Sequence, residues 1–127
     1  MWRILQNDTP EAFVLATGTT TSIRDFVTMT FKELGIDIEW RGKGVDEKGI
    51  NKATGKVVVD VDPQFFRPAE VELLLGDSTK ARTKLGWKPT YDLQALCKEM
   101  VAHDLDLAKR EKLLNDNGFK THTPRNV

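Results

Sequence analysis

A small mixed α/β domain, with short strands covered by helices, is the fold class this sequence predicts. Two runs have strand character, Ile36 to Trp40 and Val57 to Asp62. Two others carry apolar residues at helical spacing, Ser22 to Leu34 and Leu93 to Ala108. The two kinds of run interleave along the chain, and a length of 127 residues fits one domain that buries roughly two thirds of its unfolded surface.

The first residues, Met1 to Gln6, have helical character with Trp2, Ile4 and Leu5 apolar, but no capping residue precedes them, so an upstream portion is expected. Asn7-Asp8-Thr9-Pro10 breaks that helix. Ala12 to Ala16 is a short continuous apolar run, predicted to be a buried strand, and Thr17 to Thr21 turns the chain at Gly18. Ser22 followed by Asp25 resembles a capping box, Ile23, Phe26, Val27, Phe31 and Leu34 recur at helical spacing, and Gly35 supplies the stop. The alternation Ile36-Asp37-Ile38-Glu39-Trp40 predicts a half-buried strand, closed by Arg41 to Gly44. From Val45 to Lys56 no period is present, which predicts a loop. Val57, Val59 and Val61 then share one face of a strand that delivers the chain to Arg67. Pro68 opens a helix, Asp77 caps a further one with Ala81 and Leu85 inward, and Gly86 to Pro89 ends it. Asp92 caps the longest helix, whose end Lys109 and Arg110 complement electrostatically. Residues 118–127 form a polar tail, leaving 1–117 as the folded unit.

Composition removes several function classes. With 19 basic and 19 acidic side chains the formal charge is zero, so no broad field draws in nucleic acid or an anionic membrane. The single cysteine, Cys97, excludes an internal disulfide and a multi-cysteine zinc site, and it agrees with a reducing compartment. No apolar run approaches the length of a membrane span, and the start is neither a signal nor a transit peptide, so a soluble cytoplasmic protein is expected. Gly18 stands alone where a dinucleotide fingerprint needs three glycines, and Gly49 to Val57 misses both the spacing and the hydroxyl of a phosphate loop. His103 and Asp104 are consecutive on a helix and point apart, which makes a solvated face of them and not a metal site. No Gly-x-Ser-x-Gly elbow occurs.

What remains is a binding handle at Arg67 and Glu70. The residue before a proline is held out of helical geometry, so Arg67 lies at the mouth of a helix opening at Pro68. A guanidinium beside free backbone N–H groups and a positive helix end suits a diphosphate or other dianion. Glu70, in the first turn, can accept hydrogen bonds from sugar hydroxyls. The same residues also fit a plain salt bridge and a favourable helix start. Arg41 and Lys43 beside Gly42 and Gly44 fit either an added phosphate contact or turn chemistry, Glu47 and Lys48 either a recognition lid or solvated charge. Trp2, Trp40 and Trp87 are expected to pack. No catalytic constellation is present.

Several stretches together carry a resemblance: Phe13 to Gly18, Gly44-Val45-Asp46-Glu47-Lys48-Gly49, Phe66-Arg67-Pro68-Ala69-Glu70-Val71-Glu72, Leu74 to Asp77, Thr79-Lys80-Ala81 and Leu85-Gly86-Trp87-Lys88-Pro89. They resemble the carboxy-terminal, substrate-binding part of the GDP-mannose 4,6-dehydratase family within the extended short-chain dehydrogenase/reductases. The likeness weakens after about Asn117. It implies an enzyme that converts GDP-mannose to GDP-4-keto-6-deoxymannose, with NADP and the catalytic Tyr-x-x-x-Lys pair held by an amino-terminal nucleotide fold that this chain lacks. Tyr91 is followed four residues on by Ala95, so that pair has no counterpart here and the chain alone is expected to be inactive. Carried over are Arg67 as a diphosphate ligand and Glu70 as a ribose ligand, and the resemblance further implies a homo-oligomer. A reductase, epimerase or dehydratase of other GDP-, dTDP- or UDP-sugars fits the shared motifs, and a non-catalytic assembly module fits the spacing alone.

Overall fold

The computed structural model describes residues 1–67 and 74–119. It holds four helices and one three-stranded antiparallel sheet among them, a mixed α/β architecture as the sequence predicts. Helix α1 (Trp2–Leu5) is a single turn. Its Arg3 Nη1 donates to the carbonyl of Gly86 at 2.6 Å, 83 residues away. Trp2 does not pack as expected: it is 72% exposed, because one helical turn offers no face to cover a ring of that size.

The expected strand at Ala12 to Ala16 is not part of the sheet. It runs without a ladder partner among the described residues and is held from the side by cations. Lys80 Nζ donates to the Ala12 carbonyl at 3.0 Å and lies 5.0 Å from the Phe13 ring centre, while Lys80 and Lys84 both reach the Glu11 carboxylate at 2.6 Å. Close approach completes the contact, since a Cβ built on Gly76 would fall 2.6 Å from that of Ala16. The apolar run therefore signals a contact surface and not a ladder, and Val14 stays 53% exposed.

Helix α2 (Ile23–Glu33) begins as its sequence dictates, with Ser22 Oγ accepting from the Asp25 N–H at 3.0 Å. It stops at Gly35, whose φ of +72° closes the last turn through bonds from Gly35 and Ile36 to the carbonyls of Lys32 and Phe31. Strand β1 (Ile38–Arg41) follows and is locked to α2 by Trp40 Nε1, which donates to Thr28 Oγ1 at 2.9 Å.

The predicted loop from Val45 to Lys56 contains the central strand of the sheet, β2 (Lys48–Asn51), reached through a 3-10 turn at Gly44–Asp46. Trp40 faces Gly49 and Gly49 faces Val59 on β3 (Val57–Asp60). Gly49 hides the strand from any apolar period, yet the sheet needs it there: a Cβ would lie 3.0 Å from Val59 Cβ and 3.2 Å from Ile38 Cγ2. The β2–β3 turn is tied by Asn51 Oδ1, which accepts from Ala53 N at 2.9 Å.

Helix α3 (Thr79–Leu85) has Ser78, not the expected Asp77, at its cap position; Asp77 Oδ1 accepts from Thr79 N at 2.8 Å from one residue earlier, and Gly86 at φ +57° ends the helix. Ala81 is fully buried on its inner face. Helix α4 (Leu93–Asp116) starts under its Asp92 cap, 2.7 Å from Ala95 N, and packs on α2 around Cys97, 1% exposed and 3.4 Å from Thr30 Oγ1. Lys109 and Arg110 do not lie at its end. The helix continues to Asp116 through the pairs Arg110–Asp106 at 2.7 Å and Lys112–Asp116 at 2.8 Å, which support a solvated helix beyond its apolar repeat.

Candidate functional site

The candidate site is built on the end of β3. After Asp60 the chain turns on Asp62, whose Oδ1 accepts from Gln64 N at 2.9 Å and whose carbonyl accepts from Phe65 N at 3.1 Å. This Asx turn delivers Phe66 and Arg67, and Arg67 is exposed and outside any helix or strand. Pro68 to Leu73 lie outside the described residues, and with them the expected helix opening and Glu70.

Behind Phe66 stands the loop between β1 and β2. Gly44, at φ +60°, lies near the ring: a Cβ built there would be 3.7 Å from Phe66 Cζ, an ordinary van der Waals distance. Gly42, at φ +84°, admits no side chain at all, because a Cβ would fall within 2.9 Å of the Asp46 carbonyl carbon and closer still to its oxygen. Glu47, at the far end of the loop, forms an ion pair with Arg24 of α2. The same guanidinium lies 5.8 Å from the centre of the Trp40 ring. One cation thus holds both β1 and the loop that leaves it.

Three of the neighbouring charges, Arg41, Glu47 and Lys48, are engaged in ion pairs. Arg41 lies along Glu39, Nε to Oε1 at 3.0 Å and Nη2 to Oε2 at 3.3 Å. That guanidinium holds the Glu39 carboxyl below its usual range, and the carboxylate in turn raises Arg41. Lys48 lies 4.0 Å from Asp60 across the ladder, and Glu47 is committed to Arg24. The Arg24–Glu47 pair escaped sequence reasoning because its members are 23 residues apart and belong to no common period.

A cleft of about 400 Å³ lies elsewhere, between the Thr17 to Thr21 turn and the starts of α2 and α4. Thr20 and Thr21 give it hydroxyls, Ile23, Phe26 and Leu93 an apolar floor, and Arg67 is not among its lining residues. Its one carboxylate, Asp92, already accepts the Ala95 N–H. The described residues do not fit a dinucleotide: the sheet is wholly antiparallel, and the turn at Gly18 has one glycine, with Arg82 Nη2 donating to the Thr17 carbonyl at 3.1 Å. No step through NADP is assigned to them. Among the described residues no group of three or more His, Cys, Asp or Glu side chains could hold a metal ion, and no helix is long and apolar enough to cross a membrane.

The described residues form a mixed α/β unit with an antiparallel sheet and an exposed arginine after its last strand. Comparison with known proteins makes this specific. The family model described as GDP-mannose 4,6 dehydratase matches residues 1–100, and the chain belongs to that family. The GDP-mannose 4,6-dehydratase of Yersinia enterocolitica is 50% identical over 128 residues, covering 93% of this chain and 34% of that protein. The one from Sinorhizobium fredii is 56% identical over 105 residues, 83% of this chain and 30% of the relative. The human GDP-mannose 4,6 dehydratase is 50% identical over 109 residues, 86% and 29% respectively. The chain therefore spans about a third of the length of the curated relatives it matches.

Proposed function

We propose that residues 1–117 form the nucleotide-sugar grip of a GDP-mannose 4,6-dehydratase, with Arg67 on the diphosphate of GDP-mannose and Glu70 on its ribose. In the intact enzyme the reaction yields GDP-4-keto-6-deoxymannose, and NADP and the catalytic side chains belong to the length of the relatives that this chain does not span. The enzyme works in the cytoplasm as a homo-oligomer and binds neither nucleic acid nor membrane. By itself the chain binds and does not turn over.

The observation that carries this reading is the family match, which runs through Arg67, a residue whose chemistry suits a phosphate independently. That Arg67 is exposed and follows the ordered turn at Asp62 supports this reading. Calorimetric titration with GDP tests it. Arg67→Ala is expected to weaken binding by about 1.5–3 kcal/mol, roughly ten- to a hundredfold, the range of a charge-assisted hydrogen bond. Equal affinity of mutant and parent refutes the assignment. UDP and dTDP binding as tightly as GDP would return the chain to the wider group of nucleotide-sugar enzymes.

A further inference from the structure

We infer that Asn117 is a deamidation site gated by the cap of α4, and that its conversion to aspartate unfastens the end of that helix. The inference is independent of the function proposed above, since it involves no ligand.

Among the asparagines of the chain only Asn117 precedes a glycine, and both residues are exposed to solvent. A glycine there leaves the following backbone nitrogen unshielded and able to adopt the angles that ring closure needs. Hydroxide removes the Gly118 amide proton, and the nitrogen attacks Asn117 Cγ. A C–N bond forms, the side-chain nitrogen takes a proton from water and leaves as ammonia, and a succinimide ring remains. Water then opens the ring at either carbonyl, giving aspartate or isoaspartate. No oxidant, reductant or cofactor is consumed.

The same glycine closes the helix. Gly118 stands at φ +79°, its N–H donates to the Asn115 carbonyl at 3.0 Å, and the Phe119 N–H donates to the Leu114 carbonyl at 3.0 Å. These two bonds are the paired closure of a helix by a left-handed residue. The Asn117 side chain joins them, with Nδ2 donating to the Leu113 carbonyl at 2.8 Å. Each reacting group is thus held by a hydrogen bond of the cap, and both bonds must open before the ring can close. That slows the folded chain by about fivefold per bond and about twenty-fivefold for the pair.

The product does not refit the cap. A carboxylate has no proton to give the Leu113 carbonyl, and its charge falls at the negative end of α4, next to Asp116. Burial does not hold the turn in its place: Leu113 is 64% and Leu114 45% exposed. Lys112, the nearest cation in sequence, is already paired with Asp116 at 2.8 Å.

Incubation of the full chain in mildly alkaline buffer, with and without guanidinium chloride, followed by peptide mass mapping, tests the gate. Asn117 is expected to gain one mass unit about twenty-fivefold faster in denaturant than in the native chain. Asn51, whose Oδ1 accepts from Ala53 N and Thr54 N and which precedes a lysine, is expected to stay unchanged over the same time. Gly118→Ala in denaturant, where no fold is at stake, is expected to lose most of the gain. Hydrogen exchange of Asn117→Asp against the parent reads the consequence, with faster exchange expected at the Asn117, Gly118 and Phe119 amides and none of it at Cys97. Equal rates with and without denaturant overturn the gate. Absence of the mass gain at Asn117 in denaturant overturns the site, and unchanged exchange at the cap in Asn117→Asp overturns the unfastening.

Discussion

Substitution of Gly42 by alanine, compared with the same change at Gly55, measures how tightly the β1–β2 loop is built. Both glycines have positive φ, +84° and +69°. An L side chain in that region costs roughly 1–2 kcal/mol at either position. At Gly55 nothing lies within 4 Å of the added Cβ, so the backbone term is the whole cost. At Gly42 the Cβ meets the main chain of Asp46 and, at 3.3 Å, the Cα of Glu47. These atoms belong to a turn held by the Asp46 N–H on the Lys43 carbonyl and the Glu47 N–H on that of Gly44, each at 3.2 Å. Relief requires opening the turn, and forced repacking of this kind adds about 1–3 kcal/mol. Gly42→Ala is therefore expected to cost about 2–5 kcal/mol and Gly55→Ala about 1–2 kcal/mol. Urea unfolding followed by tryptophan fluorescence reads both, with Trp40 adjoining the loop through Gly49, and an unchanged slope confirms that stability alone has moved. Equal losses at the two sites would refute the close approach of Gly42 to Asp46.

Lys80 and then Lys84, by hydrogen bonds to the carboxylate, lower the Glu11 pKa from 4.5 to about 2. A depressed folded-state pKa means that the tether is at full strength above pH 4.5 and is lost as pH falls toward 2; carboxyl chemical shifts across that window read it, and Glu11→Gln abolishes this part of the acid limb. Asp92→Ala removes the cap of α4 and is expected to cost about 1 kcal/mol, seen as a lower urea midpoint, with Asp92→Asn recovering most of it.

The elements legible in the sequence are those whose signal is local. The caps at Ser22 and Asp92 and the stops at Gly35 and Gly86 each depend on a side chain or a φ angle within a few residues, and each lies where the sequence places it, whereas Asp77 stands one residue ahead of the cap position of α3. β2 was illegible because the property that makes it central, the absence of a side chain at Gly49 between Ile38 and Val59, erases the alternation by which strands are recognised. The end of α4 was misplaced for a related reason: ion pairs extend it where apolar period no longer does. At the site, the chemistry of Arg67 was legible and the nearby Arg24–Glu47 pair was not, since its members come from separate segments.

The unequal legibility follows from what holds the molecule together. Its buried apolar residues are few among those described, Ile38, Ala81 and Cys97, and they sit on separate elements. Patterns of hydrophobicity can locate such elements but cannot say how they are mutually placed. That placement falls to long side chains reaching the backbone: Arg3 to Gly86, Lys80 to Ala12 and Arg82 to Thr17, with Arg82 also bonded through Nε to the buried Ser78 hydroxyl at 3.1 Å. A cation donating to a carbonyl needs no particular residue type as its acceptor, so these contacts leave no mark at the receiving position.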